Sequence, residues 1–130
     1  MLDGGCYCGF VRYRVEGTPV HETLCHCSSC RRASGAPMVA WFSVPIEGYR
    51  VVSGEPVSFR SSRRATRSFC PRCGTPLTYQ ADAFPDEIDV TTCSLDAPEH
   101  VPPRDHTRTS SKLPWVELDP RLPAFPETRE

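Results

Sequence analysis

Cys70-Pro71-Arg72-Cys73-Gly74 constrains this chain more than any other stretch of comparable length. Two thiolates three residues apart grip one tetrahedral zinc while the amides between them point at the sulfurs. The glycine that follows permits the tight turn that closes such a knuckle. A knuckle supplies two ligands and a closed site needs four, so the fold must bring another pair to it. Cys6-Tyr7-Cys8-Gly9, preceded by Gly4-Gly5, is the natural complement, since glycines let backbone approach a metal closely. Plain packing of buried thiols is the alternative for either pair.

A second cluster is Cys25-His26-Cys27-Ser28-Ser29-Cys30. Three thiolates within six residues can occupy one face of a single metal, and three protein ligands with an open position are what a catalytic zinc site has. Cys93, far off in sequence, leaves two readings open. Either it closes this site, which is then structural, or the fourth position takes water or an exogenous thiol. Spacing does not decide between them. His26 sits between two ligating cysteines and is expected to point away or to bond around the site rather than to ligate.

Eight cysteines without an apolar leader after Met1 point to a reducing, cytoplasmic setting, where paired thiols mean metal rather than disulfides. No run approaches the ~18 apolar residues of a membrane span. With 15 basic against 16 acidic side chains, the chain lacks the positive excess of a nucleic-acid binder. Fourteen prolines argue against long helices, because each removes an amide donor and clashes with the preceding turn. The expectation is one domain over 1–130, mainly β, with short antiparallel strands and little helix.

Residues 10–15 alternate, with Val11, Tyr13 and Val15 on one face and arginines on the other. Residues 38–44 form a continuous apolar run between prolines, as a buried strand does. Further strands are expected at 49–52, 57–60, 66–69, 76–80 and 88–92. One or two helical turns are expected over 28–34, stopped by Gly35 and Pro37. The proline-rich tail is expected to form an extended strap after about residue 118, packed through Trp115, Leu118, Leu122 and Phe125.

These motifs in this order, together with Val11-Arg12-Tyr13, Arg31 to Pro37, Thr75-Pro76-Leu77, Ser94-Leu95-Asp96 and Ser111 to Trp115, carry a resemblance over nearly the whole chain. The chain resembles the glutathione-dependent formaldehyde-activating enzyme family, which includes the centromere protein V domain. The resemblance implies a β-tent fold with two zinc ions. Cys6, Cys8, Cys70 and Cys73 would hold the structural one. Cys25, Cys27 and Cys30 would hold the catalytic one, with glutathione as co-substrate. A cysteine at 93 departs from the family pattern and keeps the closed-site reading open.

The implied reaction is carbon–sulfur lyase or synthase chemistry, joining or parting glutathione and a small aldehyde such as formaldehyde. Arg31 and Arg32, beside the second cluster, are expected to contact glutathione's carboxylates, because the guanidinium fork suits them. Arg60, Arg63, Arg64, Arg67 and Arg72 are weighed for the same role against an ordinary solvated strand face. Trp115 is expected either to wall the pocket or to pack in the core. His21, His100 and His106 are expected at the surface or in packing. Two other readings stand beside the enzyme. One is a zinc module with both sites structural that carries glutathione or binds a partner; the other is a redox switch at the second cluster. Exposed strand edges allow a homodimer.

Overall fold

A computed structural model describes residues 1–128; Arg129 and Glu130, which fall within the expected domain and tail, lie outside the described residues. A small antiparallel sheet joins β1 (Leu2–Gly5), β2 (Arg12–Val15) and β5 (Tyr49–Ser53) in the order β1-β2-β5. A larger one contains β3 (Val20–Cys25), β4 (Val39–Pro45), β6 (Val57–Ser62), β7 (Ala65–Phe69), β8 (Pro76–Ala81), β9 (Glu87–Thr91) and β10 (Asp105–Thr107). Its order is β10-β3-β4-β9-β8-β7-β6. One short α-helix, α1 (Ser28–Ser34), follows β3. The expectation of a mainly β chain with little helix holds. One pairing departs from the antiparallel rule, since β10 runs parallel to β3.

The main core lies where the two sheets meet. Val11, Tyr13 and Val15 are fully buried against Phe42, Val44, Leu77 and Val90 of the larger sheet. The alternation read over 10–15 is thus the inward face of β2. Its outward arginines pair with carboxylates, Arg12 with Asp96 and Arg14 with Asp3. Strand β4 is apolar apart from Ser43, whose hydroxyl is bonded to Asp89, because both of its faces are covered. Phe42 and Val44 face the main core, while Val39 and Trp41 face the second cysteine cluster with Cys30.

Helix α1 starts where Cys27, in extended conformation, accepts the Cys30 amide on its sulfur. It ends at Gly35, whose φ of 70° is the left-handed cap conformation. The tail is tied to β10 by His106 N–H to Pro123 O and Phe125 N–H to His106 O. Trp115 takes no part in core packing, because its side chain is 71% exposed and the buried neighbour is Val116. Among the described residues no helix is long and apolar enough to cross a membrane.

Candidate metal centres and the adjoining cavity

Two groups of cysteines converge, and both can hold a metal ion. In the first, the sulfurs of Cys6, Cys8, Cys70 and Cys73 all lie within 4.8 Å of one another. Cys6 and Cys8 come from the β1–β2 connection and Cys70 and Cys73 from the β7–β8 turn. In that turn Gly74 adopts φ 83° and donates its amide to Cys70 O at 2.8 Å. The Val11 amide reaches Cys6 Sγ at 3.2 Å and the Arg72 amide reaches Cys70 Sγ at 3.3 Å, as a thiolate site requires.

The glycines before Cys6 serve a purpose other than the one expected. A Cβ on Gly4 would stand 2.5 Å from the Tyr13 hydroxyl oxygen and 2.7 Å from the Ser94 carbonyl. Close strand packing, not approach to a metal, requires glycine there. The thiols already divide unevenly. Hydrogen bonds from the Thr75 hydroxyl and amide draw Cys73 down to about 5. Cys8 is pushed up to about 11: the Phe10 amide favours its thiolate, but desolvation and the Cys6, Cys73 and Cys70 sulfurs outweigh it. Four thiolates this close need a cation between them.

The second group is Cys25, at the end of β3, Cys27, at the cap of α1, and Cys30, buried in its first turn. Hydrogen bonds from Cys25 and Cys30 hold Cys27 far below the ordinary thiol range, while Cys27 and Cys30 push Cys25 far above it. Among the described residues this group has three members. Cys93 lies in the 3-10 turn Thr92–Ser94, is exposed and belongs to neither group. His26 is fully buried and bonds to His106 instead, Nε2 to Nδ1 at 3.0 Å.

The histidine pair was not foreseen, since His106 read as an isolated residue. Its Nε2 accepts the Asp119 amide at 3.2 Å, so its proton sits on Nδ1 and is donated to His26. This joins the loop between Cys25 and Cys27 to the tail strap. Burial lowers the pKa of both rings. The folded state therefore binds fewer protons than the unfolded chain, and stability is lost as pH falls below the unfolded value of about 6.5. Urea midpoints from pH 7.5 to 5.5 are expected to fall, and to fall less steeply in His106→Phe, which has lost one titrating ring.

A cavity of about 330 Å³ opens beside Cys30, walled largely by Val39, Trp41, Phe59, Phe69 and Pro76. Arg67 lines it and is only 7% exposed, contrary to the solvated face weighed for the arginines. Its Nη2 lies 3.6 Å from Cys30 Sγ, and its guanidinium stands 4.8 Å from the Tyr79 ring centroid and 5.9 Å from that of Trp41. The signal in the sequence was the period of two that places Arg67 between Ala65 and Phe69 on one face of β7. Arg31 and Arg32 fall in the last turn of α1 and Trp115 on the surface; none of the three lines this cavity. Arg60 pairs with exposed Asp82, and Arg72 covers the Phe10 ring at 3.8 Å.

The model of a family described as "Glutathione-dependent formaldehyde-activating enzyme" matches residues 1–111. The chain is similar to a Halomonas elongata protein named "Putative glutathione-dependent formaldehyde-activating enzyme". The two are 29% identical over 133 residues, covering 93% of this chain and 83% of that protein. It is also similar to the crystal structure of a Rhodobacter sphaeroides protein, with a TM-score of 0.62 over 95% of this chain and 99% of that one. At 24% identity this is a likeness of fold alone.

Proposed function

Because the chain belongs to the glutathione-dependent formaldehyde-activating enzyme family, we propose that it is a β-tent zinc enzyme. In this reading it makes or cleaves the carbon–sulfur bond of a thiol–aldehyde adduct, glutathione with formaldehyde being the family's pair. The observation that carries the reading is the difference between the clusters. One gathers four cysteines, while the other gathers three beside a cavity, with Cys93 exposed elsewhere. A soft, all-sulfur donor set fits zinc at both. Cys6, Cys8, Cys70 and Cys73 hold the structural ion; Cys25, Cys27 and Cys30 hold the other.

Zinc at the three-cysteine cluster would supply Lewis acidity and keep a bound thiol ionised at neutral pH. In the synthetic direction the thiol loses its proton, its sulfur bonds to the aldehyde carbon, and the carbonyl oxygen takes up a proton. Cleavage is the reverse. Thiols and small aldehydes add without help, so the chain's own share is orientation, exclusion of water and charge balance. Trp41, Phe59 and Phe69 give the cavity dry walls, and Arg67 sets a cation beside Cys30.

Metal content and calorimetry test this. Wild type and Cys93→Ala are both expected to carry two zinc ions per chain, and both to release heat on titration with glutathione. Cys25→Ala should keep one ion and lose the heat. If Cys93→Ala dropped to one ion and wild type gave no glutathione heat, both sites would be structural. The binding-module reading would then replace the enzyme.

A further inference from the structure

A buried arginine in an apolar wall needs a reason, because desolvating a guanidinium is costly unless its donors are used. Arg67 stands directly between Phe59 of β6 and Tyr79 of β8 in the strand register. Its charge rests on two aromatic rings, and one donor, Nη2, goes to the Cys30 sulfur. Its Nε is buried and has no acceptor among the described residues. Nε and Nη2 share one edge of the guanidinium, the edge that grips a carboxylate with two parallel hydrogen bonds. Balancing the charge of the thiolates would explain Nη2 but leaves Nε without a role.

We propose that Arg67 binds a carboxylate of the thiol ligand, one separated from the ligand sulfur by a short spacer. The site then takes a compact mercaptocarboxylate, or its aldehyde adduct, in preference to glutathione. This deepens, and rests on, the thiol-adduct reading above. The short spacer follows from the 3.6 Å between Nη2 and Cys30 Sγ, because the same guanidinium edge serves both the cluster and the carboxylate. Glutathione's two carboxylates lie a full residue away from its sulfur on either side. The apolar lining also offers little to a ligand as polar as a tripeptide. Arg67 is the specificity-determining residue in this arrangement.

Trp41 reports on the cavity directly. The chain has two tryptophans, so Trp115→Phe leaves Trp41 as the sole one, and its fluorescence can follow binding to the zinc-loaded protein. The probes are 3-mercaptopropionate, its uncharged counterpart 3-mercaptopropanol, butyrate and glutathione. In the Trp115→Phe protein, 3-mercaptopropionate is expected to bind roughly 10- to 100-fold more tightly than 3-mercaptopropanol, the scale of hydrogen bonds to a charged group. It should also bind more tightly than glutathione. Arg67→Met should bring the ratio of the two short thiols close to one while glutathione and 3-mercaptopropanol are little affected.

Should Arg67→Met lose metal or fail to fold, Arg67→Lys carries the test. It keeps the charge but not the two-donor edge, and the ratio should fall several-fold. A wild-type ratio near one, or a ratio unchanged in either variant, overturns the proposal while leaving thiol binding intact. Tighter Arg67-dependent binding of glutathione overturns the short spacer. Butyrate binding as tightly as 3-mercaptopropionate, with neither altered by Cys25→Ala, would instead sink the thiol-adduct reading and keep Arg67 as a carboxylate site.

Discussion

Cys70→Ala is expected to abolish the fold at ambient temperature, seen as loss of the cooperative thermal transition together with one zinc ion per chain. Cys70 is fully buried at the end of β7, and its sulfur lies within 4.8 Å of those of Cys6, Cys8 and Cys73. These four come from two turns far apart in sequence, one in each sheet. An ion between them clips the small sheet to the large one and closes a long loop, which is where such a clip stabilises most. Structural zinc contributes about 10–16 kcal/mol in small zinc domains, against a whole-domain stability of about 5–15 kcal/mol. Losing it therefore removes an amount comparable to the whole stability of such a domain. Cys25→Ala is the contrast: it should lose one ion yet still melt cooperatively, because Cys25, Cys27 and Cys30 lie within one β3–α1 segment. Should Cys70→Ala retain two ions, or melt within a few degrees of wild type, the first cluster is not what holds the sheets together.

The parts of this molecule that could be read from its sequence are those whose pattern has a local cause. Strand β2 alternates because one face meets the core, and β4 is apolar but for Ser43 because both faces are covered. The helix announced its own end through Gly35. What escaped depends on distant partners. Strand β1 reads Leu-Asp-Gly-Gly, poor in strand formers, and pairs because Gly4 lets the chain lie against Tyr13 and Ser94. Strand β3 is half polar with no clean alternation, carries a left-handed residue at His21 (φ 56°), and is held between β4 and β10. Strand β10 has three residues, too few for any period. In the site, cysteine spacing grouped the sulfurs in advance of any structure. Arginine, by contrast, is ordinarily exposed, so the alternation that sets Arg67 on one face with Ala65 and Phe69 is a weak signal beside the register of β6, β7 and β8, which separates it from Arg60 and Arg64.

Cys27 joins two roles that one substitution can separate. Its sulfur belongs to the three-cysteine group and also caps α1, accepting the Cys30 amide at 3.2 Å. Serine is among the best capping residues and alanine among the poorest, a difference of about 1 kcal/mol. Neither is a zinc ligand of the kind the cluster provides. Cys27→Ser and Cys27→Ala are therefore both expected to lose the second ion and to cut turnover of the thiol–aldehyde adduct by more than ~100-fold, beyond the loss typical of outer-sphere partners. They should differ in stability, Cys27→Ser melting above Cys27→Ala when both carry only the first ion. Equal melting with equal loss of turnover would mean that the cap is dispensable and the sulfur serves chemistry alone. Turnover retained by Cys27→Ser would mean that a hydroxyl suffices at this position, and a three-thiolate ion could not then be the centre of the reaction. The two variants thus separate what Cys27 does for the helix from what it does for the site, using a single pair of proteins and two readouts.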